Sequence, residues 1–263
     1  MLRLVLLLVV TAFTFSAFAA ERVVLLAPAA ADIMEKLGCG EYIVGKTKSV
    51  EEFPDAVKVG SHIRPNLELI ISLSPDLIII PSNRFFTEEM VQDAGVPVAE
   101  YNPSTLEDIL KDIDKLGSLM GKEAEAKELN GKLSKMLESV VPPAKSPSVL
   151  FEVMQIPYTI AGGGNIAVDI INRAGGAYHE HSKKKMIRYS MENAVADNPD
   201  IYIYQVGPMN KNPQPPQDRE IFKTMKSEYV QVDEREFSRA NSLSFENVLK
   251  LNALFNSFSE RSK

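Results

Sequence analysis

Asn66-Leu-Glu68-Leu-Ile-Ile-Ser-Leu-Ser-Pro75-Asp76-Leu-Ile-Ile-Ile80 returns 124 positions later as Ser190-Met-Glu192-Asn-Ala-Val-Ala-Asp-Asn-Pro199-Asp200-Ile-Tyr-Ile-Tyr204. Each copy reads Glu, six residues, Pro-Asp and then a short strand-like run. A second pair keeps the same order. Ala31-Asp32-Ile-Met-Glu-Lys-Leu-Gly38 matches Val168-Asp169-Ile-Ile-Asn-Arg-Ala-Gly175, at an offset of 137. Fixed short periods mark solenoids, whereas one duplication with drifting spacing argues for two similar lobes.

Outward from these motifs, each half alternates strand and helix. Arg22 to Ala27, Leu77 to Ile80 and Val96 to Ala99 are β-rich runs, as are Ser148 to Val153, Ile201 to Tyr204 and Tyr229 to Val232. Ala31 to Leu37 reads as a helix stopped by Gly38, and Glu88 to Ala94 as one closed by Gly95. Such alternation predicts parallel sheets, with ligands beyond the C-terminal strand ends. Between the halves, Ser104-Thr-Leu-Glu107 spells a capping box. Leu106, Ile109, Leu110, Ile113, Leu116 and Met120 then follow the helical period. Gly121 interrupts, and a second helix is expected over Lys122–Val140, about 28 Å long. The expected fold is α/β: two similar lobes with parallel sheets, residues 21–121 and 142–263, joined by a long backbone helix over 122–141, with a ligand cleft between them.

Met1-Leu2-Arg3, the apolar run Leu4 to Phe15 and Ala17-Phe18-Ala19 predict a cleaved signal peptide over residues 1–20. The mature chain is then expected to be soluble and periplasmic. The full 263 residues carry 29 Lys+Arg against 35 Asp+Glu, a net charge of −6, which disfavours nucleic acid as a partner. A single cysteine excludes a disulfide scaffold within the chain. No G-x-S-x-G elbow and no H-E-x-x-H motif occurs, so no enzyme is expected. Ala161-Gly-Gly-Gly164-Asn165 lacks the Lys-Ser/Thr of a phosphate loop and reads as a tight turn before a helix. Three histidines are too few for a free-metal binder, so no protein metal centre and no cofactor are expected.

Six features in order resemble one family. They are Arg22-Val-Val, Tyr42-Ile-Val-Gly45, Val59-Gly60-Ser-His62-Ile-Arg64-Pro65-Asn66-Leu67-Glu68 with Ser72-Leu-Ser-Pro75-Asp76, Ala174-Gly175-Gly176, Glu192 with Pro199-Asp200, and Phe237-Ser-Arg239-Ala240. Together they resemble the class III, helical-backbone substrate-binding proteins of ABC importers, the ferric-siderophore and cobalamin type. The resemblance spans roughly residues 21 to 258. It implies a monomer that captures a small-molecule metal chelate and delivers it to a dimeric permease in the inner membrane. Ferric siderophore is the first expected cargo, with cobalamin or heme as alternatives by the same mechanism. It also implies one docking carboxylate per lobe, at Glu68 and Glu192. Absence of Trp weighs against a large corrin ligand.

The same resemblance puts cleft residues around Ser61–Arg64. His62 is expected to ligate iron or hydrogen-bond a chelate, and Arg64 to pair with an anionic one. Arg84 and Phe85 follow the Leu77–Ile80 strand; Phe85 or Phe86 either packs on a flat ligand or staples a helix. Tyr158, after the Ser148–Val153 strand, is expected to face the cleft. Arg188 and Tyr189 hold the repeat position of His62–Arg64, and Arg239 lies in the last cleft loop. The Pro-rich stretch Gly207–Asp218 is expected either to overhang the cleft or to act as a linker.

Overall fold

The structure, a computed structural model, describes residues 19–261; residues 1–18 of the expected signal peptide lie outside them. In the first lobe the short apolar runs become β1 (Val23–Leu25), β2 (Ile43–Lys46), β3 (Val57–Lys58), β4 (Gly60–Ser61), β5 (Arg64–Pro65), β6 (Leu77–Ile80) and β7 (Val98–Glu100). Five of these form one sheet in the order β3-β2-β1-β6-β7, and every neighbouring pair is parallel. β4 and β5 form a separate antiparallel hairpin. All four residues of β6 are buried, as expected of a strand with helices on both faces. Those helices are α1 (Ala31–Lys36), α2 (Leu67–Ser72) and α3 (Glu88–Ala94).

The bridge is a helical hairpin, α4 (Leu106–Leu119) and α5 (Glu123–Glu138). Asn130 on α5 donates to Leu110 O (2.9 Å) and Asp114 Oδ1 (2.8 Å) on α4, which fixes their antiparallel pairing. The returning helix has 16 residues, about 24 Å, and is therefore shorter than expected. The capping box also shifts by one position: Thr105 is the cap and Asp108 its partner. Thr105 is already extended in the backbone, and Asp108 reaches back to its amide where Glu107 points to solvent.

The second lobe contains β8 (Ser148–Met154), β9 (Thr159–Ala161), α6 (Ile166–Arg173), β10 (Ala177–Tyr178), β11 (Met186–Arg188), α7 (Met191–Asp197), β12 (Ile201–Val206), β13 (Glu228–Asp233), α8 (Glu234–Phe237) and α9 (Leu243–Arg261). Its sheet runs β11-β9-β8-β12-β13, with β10 also on β8. β8, β12 and β13 are parallel. β9 and β11 are antiparallel additions, so this lobe departs from the expected all-parallel sheet. The glycine run after β9 has a packing reason. Gly162 N and Gly164 N bond to carbonyls of Lys185 and Lys184, and a Cβ at Gly162 would lie 2.2 Å from Lys184 O.

The repeated aspartates explain themselves in this frame. Asp76 accepts from the amides of Glu21 (2.9 Å) and Arg22 (3.0 Å), at the start of β1. Asp200 accepts from Ser148 N (2.8 Å) and Oγ (2.9 Å), at the start of β8. Each Pro-Asp thus ties its own strand to the backbone at the start of the neighbouring one. The second repeated pair laces the lobes together. Asp169 Oδ2 accepts from Leu106 N (2.7 Å), the first residue of α4. Asp32 Oδ2 accepts from Ser242 N (3.1 Å) and Oγ (2.6 Å), just before α9. One apolar core runs from Leu25 and Ile33 through Ile113 and Leu129 to Phe151, Ile170 and Phe255. Asp200→Ala strands the Ser148 amide, so a loss of about 1–3 kcal/mol is expected. Urea unfolding measures it; an unchanged midpoint would count against the clamp.

Candidate functional site

Loops at the C-terminal ends of the parallel strands of each lobe enclose a cleft of about 480 Å³. The first lobe contributes Pro28 and Ala29 after β1, Ser49 after β2, His62 from the β4–β5 turn, and Tyr101 and Asn102 after β7. The second lobe contributes Asn165, Lys185, Met209 after β12, and Glu234, Ser238 and Arg239 after β13. Four contacts cross the cleft. Arg239 Nη2 donates to Ser49 O (3.1 Å), Lys185 Nζ to Asn102 Oδ1 (2.6 Å), and Arg235 pairs with Glu51 at the rim. Deeper, Tyr101 Oη donates to Ala240 O (2.8 Å).

His62 is the one imidazole in this cleft. Burial, followed by the positive charge of Arg239, lowers its pKa below 6.5. Its ring is therefore neutral at pH 7, the form that ligates a metal. Phe85 stands edge-on to it with ring centroids 6.3 Å apart, and Arg84 lies 5.5 Å over Phe85. Burial lowers the pKa values of Lys185 and Arg239 too, yet both cations remain charged.

Met209 enters the cleft from the Pro-rich stretch, which is pinned down. Met209 N donates to Glu234 Oε2 (2.6 Å), and a Cβ at Gly207 would lie 2.4 Å from Glu234 Cβ. Asn210, 4% exposed, accepts from Gln155 N (3.0 Å) and donates to Gln205 O (2.7 Å). At the far end, Arg219 Nη1 and Nη2 form a bidentate pair with Glu152 (2.6 and 2.8 Å), while its Nε and Nη2 donate to Gln214 O. Tyr202 Oη donates to Glu152 Oε2 (2.5 Å), and Tyr158 Oη lies 2.8 Å from Tyr202 Oη.

Of the residues expected at the ligand, His62 and Arg239 line the cleft, with Phe85 and Arg84 at its edge beside His62. Tyr158 does not face it. The β8–β9 hairpin turns back into the sheet and buries this ring against Phe222 and Tyr202, which also raises the hydroxyl's pKa. Phe86 is buried in the first lobe. Tyr189 Oη donates to Asp197 (2.6 Å) and its ring packs on His181, away from the cleft. Arg64 and Arg188 are exposed and line no part of it. Lys185 belongs to the run Lys183-Lys184-Lys185, which reads as a solvated loop, and Met209 to the Pro-rich stretch, so the sequence singles out neither for the cleft. The His179 and His181 rings lie 4.7 Å apart. Among the described residues no group of three or more His, Cys, Asp or Glu is placed to hold a metal ion. Nor is any described helix long and apolar enough to cross a membrane.

Comparison with known proteins agrees with this geometry. The periplasmic binding protein family model matches residues 23–220. The high-affinity heme uptake system protein IsdE of Staphylococcus aureus is 29% identical over 175 residues, 61% of this chain and 59% of that protein. The chain thus matches under two thirds of the length of its curated relatives. The structure of S. aureus IsdE complexed with heme superposes with a TM-score of 0.75 at 22% identity, covering 89% of this chain and 98% of that one. The vitamin B12 binding protein BtuF of Vibrio cholerae gives 0.69 at 16%, covering 93% and 98%. A protein of an ABC-type Fe3+-hydroxamate transport system from Saccharomonospora viridis gives 0.69 at 16%, covering 90% and 93%. These likenesses to solved structures concern the fold.

Proposed function

This chain belongs to the periplasmic binding protein family, in the helical-backbone class that serves ABC importers, and from that premise we propose that its cargo is heme. The observation that carries the proposal is that a neutral imidazole, His62, and a thioether, Met209, line one cleft from opposite lobes. Imidazole and thioether are an established axial pair for heme iron. A siderophore surrounds its ferric ion with its own hard oxygen donors and leaves nothing for a soft sulfur. Among the described residues neither His62 nitrogen has a hydrogen-bond partner, so the nitrogen that carries the lone pair stays free for iron. Arg239 and Lys185 carry positive charge toward the carboxylates of such a ligand. Pro28, Ala29 and the Met209 stem offer apolar surface to its ring.

Delivery in this reading is to a two-fold ABC permease, with Glu68 and Glu192 as the docking carboxylates. Both are exposed, at the second position of α2 and α7. The shared core and the hairpin bridge limit closure around the cargo to a small rotation. The signal peptide of residues 1–20 supplies export to the periplasm, and the chain acts as a monomer without a resident cofactor. The test is a visible-absorbance titration of residues 21–263 with hemin, beside ferric hydroxamate and cyanocobalamin. Saturation by one equivalent of hemin at micromolar concentration or below is expected. Retention of ferric hydroxamate with no spectral change in hemin would overturn the heme reading and restore a siderophore.

A further inference from the structure

The offset that relates the lobes matches more than the two glutamates. It also pairs Arg64 with Arg188 and the cap residue Asn66 with Ser190. The fold keeps these equivalences. Arg64 lies on the short antiparallel strand β5 and Arg188 at the end of the antiparallel strand β11. Two residues on, Asn66 and Ser190 each accept from the amide three residues further along. Two residues beyond those come Glu68 and Glu192. All four charged side chains are exposed. Among the described residues none of them takes part in a side-chain hydrogen bond or ion pair. Ile63, next to Arg64, is 49% exposed, and Met186, two residues before Arg188, is 43% exposed, although the offset of 124 does not pair them.

Neither the fold nor the cargo uses these arginines, yet both lobes present them at the same place. We propose that Arg64 and Arg188 are a second pair of docking contacts, each reaching a carboxylate on the permease beside the basic group that receives Glu68 or Glu192. The proposal rests on the importer reading and adds to it the chemistry of the partner surface. Each of the two equal permease subunits must offer one basic and one acidic side chain. Opposite charges four residues apart fix the rotational register of each lobe on its subunit, which a lone carboxylate does not. A partner surface with basic groups alone would repel the arginines.

The test uses the full mature chain with its cognate permease–ATPase in proteoliposomes. It compares wild type, R64E, R188E and the double variant, reading stimulated ATP hydrolysis and, separately, hemin affinity. Each single variant is expected to lose stimulation by a similar factor, about tenfold, and the double variant more, with hemin affinity within twofold of wild type. R64A and R188A, which introduce no repulsion, should each lose less. Full stimulation by the double variant would overturn the proposal alone. So would an effect confined to one lobe, or a fall in hemin affinity matching the fall in stimulation. A silent wild type would overturn the importer reading and this proposal with it.

Discussion

Glu152→Ala is expected to lower the free energy of unfolding by about 3–5 kcal/mol. The Glu152 side chain is fully buried and that of Arg219 is 4% exposed, so the variant leaves a guanidinium in an apolar surround without its bidentate partner. It also removes the acceptor of the Tyr202 hydroxyl, already inside a chain of hydrogen bonds with Tyr158. A domain's total stability is about 5–15 kcal/mol, so the loss is a large share of it. Urea unfolding followed by circular dichroism gives the number. The double variant Glu152→Leu with Arg219→Met replaces both charges by apolar groups and should recover most of the loss. If the double variant is as unstable as the single, the pair is not what sets the cost. Because Arg219 also holds Gln214 O, the single variant should loosen the segment that carries Met209 and weaken hemin binding as well.

How much of this was legible in the sequence differs by type of signal. The Pro-Asp repeat was visible because two copies of one clamp need the same residues at the same spacing. The clamp itself was not, since Asp76 and Asp200 act on amides 54 and 52 positions away. Helix existence followed from apolar period. The exact cap did not, because Ser104 and Thr105 are both competent and only backbone extension and Asp108 decide between them. Tyr158 was misplaced because a residue following a strand can leave the sheet or turn back into it, and composition does not separate the two. Met209 hid in Gly207–Asp218, where prolines erase periodicity. That stretch gains its order from outside itself, through Glu234, Gln155 and Glu152. The cleft positions of His62 and Arg239 were expected from the family resemblance of their loop motifs, since His62 sits in a two-residue hairpin turn and Arg239 follows the short helix α8, places that no apolar period marks.

His62→Ala is expected to weaken hemin binding at least about tenfold, or 1.4 kcal/mol. The bound spectrum should change as well, since one of the two axial positions passes to water. Met209→Ala should change the spectrum in a different way, because the imidazole remains. If both variants bind hemin with the wild-type spectrum, the iron is held elsewhere and the heme proposal loses its basis. The pH profile offers an independent check, with a sign set by the lowered pKa of His62. Protons compete with iron for the ring only once pH falls through that lowered value. Affinity should therefore begin to decline at a lower pH than it would for an ordinary histidine. Arg239 helps to keep the ring neutral by its charge, after burial has done most of it. Arg239→Gln should then shift the decline toward 6.5 while also removing a positive charge from the cleft. Loss of affinity with an unmoved pH profile would mean that Arg239 acts on the ligand's carboxylates alone. A profile that moves upward would show the same guanidinium tuning the iron ligand.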